Sequence, residues 1–157
     1  MDIRFITGDV RTAQNGLLVQ GVNCQSAMGS GVAAAIMSTW PEVSVAYHKY
    51  CEIHEGETIL GTCNYVKVTP ELTVVNGFTQ EYFGSDGKRY ACPKAILSVL
   101  RECCAFLMYK DPEDRQLHMP RIASDLGGLD WETEVLPVVE KVAREYPKVT
   151  ITVYTLA

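Results

Sequence analysis

Two glycine-containing segments have the composition needed to grip an anion without lysine. Gly29-Ser30-Gly31 lies between an apolar run, Gly16 to Asn23, and the helix formers Val32 to Met37. Ser124-Asp125-Leu126-Gly127-Gly128 lies between a run ending at Ile122 and a helical stretch opening at Asp130-Trp131. A glycine loop leading into a helix presents unpaired backbone N–H groups and the positive end of the helix dipole, which together can surround a phosphate. Two such loops at the carboxyl ends of adjacent strands would suit a diphosphate better than a single phosphate. Each can also be a plain turn, so both readings stay open. Neither loop is a dinucleotide fingerprint, because Ala34 stands where the third glycine belongs, and no Gly-Lys-Ser/Thr makes a Walker loop.

Asp125 is the carboxylate inside the second loop. It can act as a general base that directs water at a terminal phosphate, or it can point to solvent, because a carboxylate beside a diphosphate costs repulsion. Cys24 is a nucleophile only with a base nearby, and with no histidine close in sequence a buried thiol is expected. Cys51-Glu52-Ile53-His54 has a metal-like spacing, but no second pair completes a tetrahedral set, and His48 and His118 are isolated. No metal and no cofactor are expected.

The elements that must position these residues follow from periodicity. Ile3 to Thr7, Gly16 to Asn23, Gly61 to Val68, Leu72 to Thr79, Leu117 to Ile122 and Val149 to Leu156 read as strands. Helical stretches are predicted from Val32 to a break at Trp40-Pro41, from Glu42 to about Cys51, from Pro93 to Tyr109, and from Asp130 through the stripe Val135, Leu136, Val139 and Val142. Strands alternating with helices predict an α/β fold, a three-layer α/β/α sandwich whose mixed, roughly six-stranded sheet has helices on both faces. Trp131 is expected to pack beneath the second loop.

Composition narrows the function classes. The chain is 47% hydrophobic and 21% charged, within the globular range, and its 157 residues predict a single domain spanning 1–157. Fourteen Lys and Arg against nineteen Asp and Glu give a net charge of -5, the wrong sign for holding duplex nucleic acid by neutralising phosphates. No apolar run is long enough for a membrane helix, and the first residues lack a secretory pattern, so a soluble, cytoplasmic protein is expected. The six cysteines lie in apolar contexts, which predicts reduced, structural thiols.

The order of five motifs resembles the macro domains. They are Ile6-Thr7-Gly8-Asp9-Val10; Val22-Asn23-Cys24 with Met28-Gly29-Ser30-Gly31-Val32-Ala33; Met119-Pro120-Arg121-Ile122; Leu126-Gly127-Gly128-Leu129-Asp130-Trp131; and Ile151-Thr152-Val153-Tyr154-Thr155-Leu156. The likeness is greatest to the small single-domain branch that includes the terminal ADP-ribose glycohydrolases, the antitoxin macrodomains acting on DNA ADP-ribosylation, and the ADP-ribose 1''-phosphate phosphatases. It implies a crevice for ADP-ribose in which Asp9 accepts a hydrogen bond from the adenine amino group and the Val10 backbone lies alongside. Asn23 would meet the distal ribose, with Gly29, Ser30, Gly31 and Val32 on one side of the diphosphate and Ser124, Asp125, Leu126, Gly127 and Gly128 on the other. Tyr154 and Leu156 would flank the adenosine. Without the resemblance, Asp9 can simply cap a turn, Asn23 can brace a strand end, and Tyr154 can be ordinary sheet surface.

The glycohydrolase branch uses a strand-end lysine and a second-loop carboxylate, and these positions fall at Gln80 and Gly127, which can do neither job. Thr79-Gln80-Glu81-Tyr82-Phe83-Gly84 instead resembles the phosphatase-like members. The expected activity is therefore ADP-ribose binding with hydrolysis of ADP-ribose 1''-phosphate to ADP-ribose and phosphate, and Asn23, Asp125 and Gln80 are the expected catalytic residues. A non-catalytic ADP-ribose reader, or a hydrolase removing ADP-ribose from protein or nucleic acid, is the alternative. ADP-ribosylated macromolecules are partners in that last case.

Overall fold

The computed structural model describes residues 3–27, 31–82, 90–123 and 128–156. Its central strand, β2 (Gly16–Asn23), is buried along nearly its whole length, as a largely apolar run broken at Gly21 leads one to expect of a strand covered on both faces. The other strands are β1 (Ile3–Thr7), β3 (Cys63–Lys67), β4 (Leu72–Gln80), β5 (Gln116–Pro120) and β6 (Thr150–Thr155). They form one six-stranded sheet in the order β1-β6-β5-β2-β4-β3. Every pairing is parallel except that of β3 with β4.

Among the described residues, four α-helices cover the sheet in two layers. Helices α1 (Val32–Thr39) and α2 (Pro41–Ile53) lie on one face, where Ile36, Met37, Val43 and Tyr47 join Leu18, Val22, Val74 and Phe78 in a core. Helices α3 (Pro93–Leu107) and α4 (Leu136–Glu145) lie on the other, where Ile96, Val99, Leu100, Val139 and Val142 meet Val19, Val75, Leu117 and Val153. The expected sandwich with a mixed sheet is what the chain forms. Among the described residues no helix is long and apolar enough to cross a membrane.

The differences from expectation are local. Strand β5 ends at Pro120 rather than Ile122, because the chain turns at Ile122-Ala123, where Ala123 takes φ +66°. The last helix does not begin as an α-helix: Asp130 caps a single π-helical turn, Trp131–Val135, and the α-helix starts only at Leu136, beside Pro137. Pro lacks the N–H that a continuing helix would need, which explains a change of winding there. Short 3-10 turns at Val10–Thr12 and Pro112–Asp114 were invisible to periodicity because three residues hold no period.

Candidate functional site

The parallel strands all point the same way, so Asp9 after β1, Asn23 at the end of β2, Gln80 at the end of β4, and the segments after β5 and β6 share one end of the sheet. Strand order reverses between β2 and β5. From β2 the chain leaves over one face through α1 and α2, and β5 is reached over the other through α3. Ligands in open α/β sheets settle at such a switch point. Only Leu17 and Leu18 of β2 pair with Leu117 and His118 of β5, so beyond them the ladder opens towards the carboxyl end.

Gly31 and Gly128 are the described residues of the two glycine segments. Gly29 and Ser30 of the first, and Ser124, Asp125, Leu126 and Gly127 of the second, lie outside the described residues. Gly31 stands at φ +60°, ψ -125° as the N-cap of α1 and supplies no side-chain cap. Only glycine tolerates that backbone, and it leaves the first amides of α1, beginning at Val32, without a capping partner. The second segment is tied at its base, because Leu129 N donates to Ala123 O at 3.0 Å, and Gly128 takes φ +77°. Gly21, in the adjacent part of β2, is needed for close approach. A Cβ there would stand 2.6 Å from Thr79 Oγ1 and 3.2 Å from Ile122 Cγ2, where the chain leaves β5.

Asp9 is already occupied. Its carboxylate caps the 3-10 turn by accepting from Arg11 N at 2.9 Å, and it pairs with the Arg11 guanidinium at 2.6 Å. The hydrogen bonds and charge of Arg11 hold the Asp9 carboxyl below its usual range. Arg11 also reaches Thr39 Oγ1 at 3.0 Å, which braces the turn against α1. The capping role is thus present at Asp9, whose side chain is 35% accessible and whose two oxygens both accept from Arg11. Val10 is buried beneath it.

Asn23 is 6% exposed and works as a brace for the loop that follows. Its Oδ1 accepts from Gln25 N and from the Tyr47 hydroxyl, each at 2.9 Å, and its Nδ2 donates to Ala27 O at 3.0 Å. Tyr47 also donates to Asn23 O at 2.9 Å, and burial pushes its phenol up. Gln80 donates to Tyr82 O at 2.8 Å, and its carbonyl accepts from Cys24 N at 3.0 Å, which ties the ends of β2 and β4 together.

Tyr154 is 8% exposed. It lies in the core on the α1 and α2 face, with its hydroxyl 2.7 Å from His118 Nδ1. Leu156, two residues on, is exposed at the strand end. Trp131 is buried as expected, with the Arg121 guanidinium 5.6 Å from its ring centroid.

The thiols behave as structural groups. All six cysteines are free, and Cys63, Cys103 and Cys104 are buried. Burial, reinforced by the Glu81 carboxylate, pushes Cys24 up to about 12, so its thiol stays protonated at neutral pH and is a poor nucleophile. His54 is taken up by Glu57 at 2.6 Å. Among the described residues the one close group of metal-type ligands is Asp111, Glu113 and Asp114, a surface cluster beside β5's amino end. A groove of about 460 Å³, lined by Ala13, Gln14, Asn15, Trp40, Thr69, Glu71 and Leu72, also opens at the amino end of the strands, away from the rim that gathers Asn23 and Gln80.

One pair escaped the sequence reading. Ser26 Oγ lies 2.6 Å from His48 Nδ1, and Ser26 adopts φ +58°, uncommon for a residue other than glycine. Twenty-two residues separate them, so sequence proximity offered no signal.

No protein-family model matches the chain. Over 134 residues it is 27% identical to the DNA ADP-ribosyl glycohydrolase of Mycobacterium tuberculosis, a stretch that is 83% of this chain and 36% of that protein. The chain therefore spans about a third of the length of the curated relatives it matches. Among solved structures, the macrodomain of Mycobacterium tuberculosis DarG superposes with a TM-score of 0.81 at 24% identity, covering 99% of this chain and 98% of that one. Thermosipho africanus DarTG, solved in complex with ADP-ribose, superposes with a TM-score of 0.73 at 22% identity over 98% of this chain and 41% of that one.

Proposed function

This chain has the macrodomain fold, and from that premise we propose that it binds ADP-ribose across the carboxyl end of the sheet and hydrolyses the bond at C1'' of the distal ribose. The observation that carries the reading is that Asp9, Asn23, Gln80 and the start of α1 lie at one end of the sheet, the end at which strand order reverses between β2 and β5. Asp9 offers a carboxylate edge to an exocyclic amine. The amides at Gly31 and Val32, with Gly29 and Ser30 before them, take one side of the diphosphate, and Ser124 to Gly128 take the other. Anion binding by amides fits a chain whose net charge is -5.

The substrate favoured first is an ADP-ribose adduct on DNA. The support is the likeness to DNA ADP-ribosyl glycohydrolases over most of this chain. ADP-ribose 1''-phosphate is the second reading, favoured by one residue: Gln80 ends β4 where the glycohydrolase pattern calls for a lysine. An amide cannot attack carbon, so both readings require water as the nucleophile, placed by the loop that Asn23 braces.

The test measures ADP-ribose affinity by calorimetry, ADP-ribose release from an ADP-ribosylated oligonucleotide, and phosphate release from ADP-ribose 1''-phosphate. Release from the oligonucleotide is expected. Binding with turnover of neither substrate would make this a reader of ADP-ribose, and absence of binding would end the reading altogether.

A further inference from the structure

We propose that Ser26 and His48 form a proton relay for the hydrolysis, with the Ser26 hydroxyl as the catalytic group that meets the attacking water and His48 as the positioning residue behind it. This rests on the hydrolase reading above and gives it a proton acceptor, which neither the amide of Gln80 nor Gly127 supplies.

The geometry is built from two elements. Ser26 belongs to the segment linking Asn23, at the end of β2, to Gly31, at the start of α1. His48 belongs to α2, and its neighbour Tyr47 pins the same segment, its hydroxyl lying 2.9 Å from Asn23 O and 3.2 Å from Ala27 O. One turn of α2 therefore sets both the loop and the imidazole that faces it. The Ser26 backbone at φ +58° holds the hydroxyl on the ring, and side chain and ring are both partly open to solvent. Backbone in this region costs free energy and persists where the surroundings over-determine it.

Besides His48, the Ser26 hydroxyl has the Cys51 sulfur as a neighbour. Burial raises the Cys51 thiol, which also meets Ser26, and the Cys24 thiol stays protonated beside Glu81. The Tyr47 ring lies 5.0 Å from the imidazole, and its hydroxyl is spent on Asn23 and Ala27.

In the step, the water oxygen forms a bond to C1'' while the bond from C1'' to the leaving group breaks and the leaving group takes the electron pair. The water proton passes to Ser26 Oγ as the serine proton passes to His48 Nδ1. The imidazolium then returns one proton through Ser26 or solvent to the leaving group. The sum is adduct plus water giving ADP-ribose plus the protonated leaving group, with Ser26 and His48 unchanged.

The experiment uses the full chain with Ser26→Gly, which removes the hydroxyl while relaxing the backbone, and with His48→Ala. Calorimetry is expected to show ADP-ribose affinity within about threefold of the parent, and release from an ADP-ribosylated oligonucleotide to fall by about 10² to 10⁴. Added imidazole should restore part of the His48→Ala rate, a recovery that a purely structural role would not produce. Nitrogen NMR of the parent should find His48 Nδ1 unprotonated, ready to accept from Ser26. A proton on Nδ1 overturns the relay, as does parental turnover in both variants or a loss of rate that merely tracks lost binding. A parent that binds ADP-ribose but releases none removes the hydrolase reading and the relay with it, whereas turnover that survives both substitutions removes the relay alone.

Discussion

His118 and Tyr154 are joined inside the sheet face, with Nδ1 2.7 Å from the tyrosine hydroxyl, and the opposite nitrogen of His118 is 3.0 Å from Asn15 O. A carbonyl only accepts, so Nε2 carries the proton and Nδ1 accepts from Tyr154. This arrangement suits a neutral imidazole. Burial lowers the His118 pKa from 6.5, outweighing the backbone contact that raises it. The unfolded chain therefore binds this proton at a higher pH than the folded one.

Stability should accordingly be constant with respect to this group above pH 6.5 and fall as pH drops below it towards the depressed folded value. Urea unfolding at a series of pH values from about 7.5 to about 5 reads the slope. In His118→Gln the slope over that window should shrink. An unchanged slope would mean that the His118 imidazole does not carry it.

Asp9→Ala is expected to weaken ADP-ribose binding by roughly 1.5 to 3 kcal/mol, the worth of one charge-assisted hydrogen bond, while ribose 5-phosphate, which has no adenine, is hardly affected. Calorimetry with both ligands checks this. Equal weakening would show that the Asp9 carboxylate matters only as the cap and partner of Arg11.

Trp131 is 6% exposed and packs in the core shared by α3 and α4. Trp131→Ala should destabilise the fold by about 3 to 5 kcal/mol. Because Trp131 opens the π-helical turn after the second glycine segment, ADP-ribose affinity should fall as well. Denaturant melts with and without ADP-ribose measure both effects, and a loss below about 1 kcal/mol would mean the site relaxes around the cavity.

Asp125→Asn separates two carriers of the water's proton. With Ser26 and His48 in that role, turnover should stay within about threefold of the parent and ADP-ribose should bind as well or better, since a repulsive charge near the diphosphate is gone. A fall of about 10² to 10⁴ with binding intact would move the base to Asp125.

The layer architecture was written in the sequence because burial imposes local periods. The largely apolar run of β2 and the helical stripe through Ile96, Leu100, Cys103 and Leu107 place strand and helix without knowledge of their neighbours. The two glycine segments were legible for the same reason, since each sits where a strand period gives way to a helical one. What tertiary structure alone decided is which polar atoms meet. Ser26 finds His48 across twenty-two residues, Tyr154 finds His118 across thirty-six, and Arg11 closes over Asp9 while reaching Thr39 on α1. A hydrogen bond is fixed to a few tenths of an ångström and a few tens of degrees, whereas a period in sequence constrains only the face to which a side chain turns.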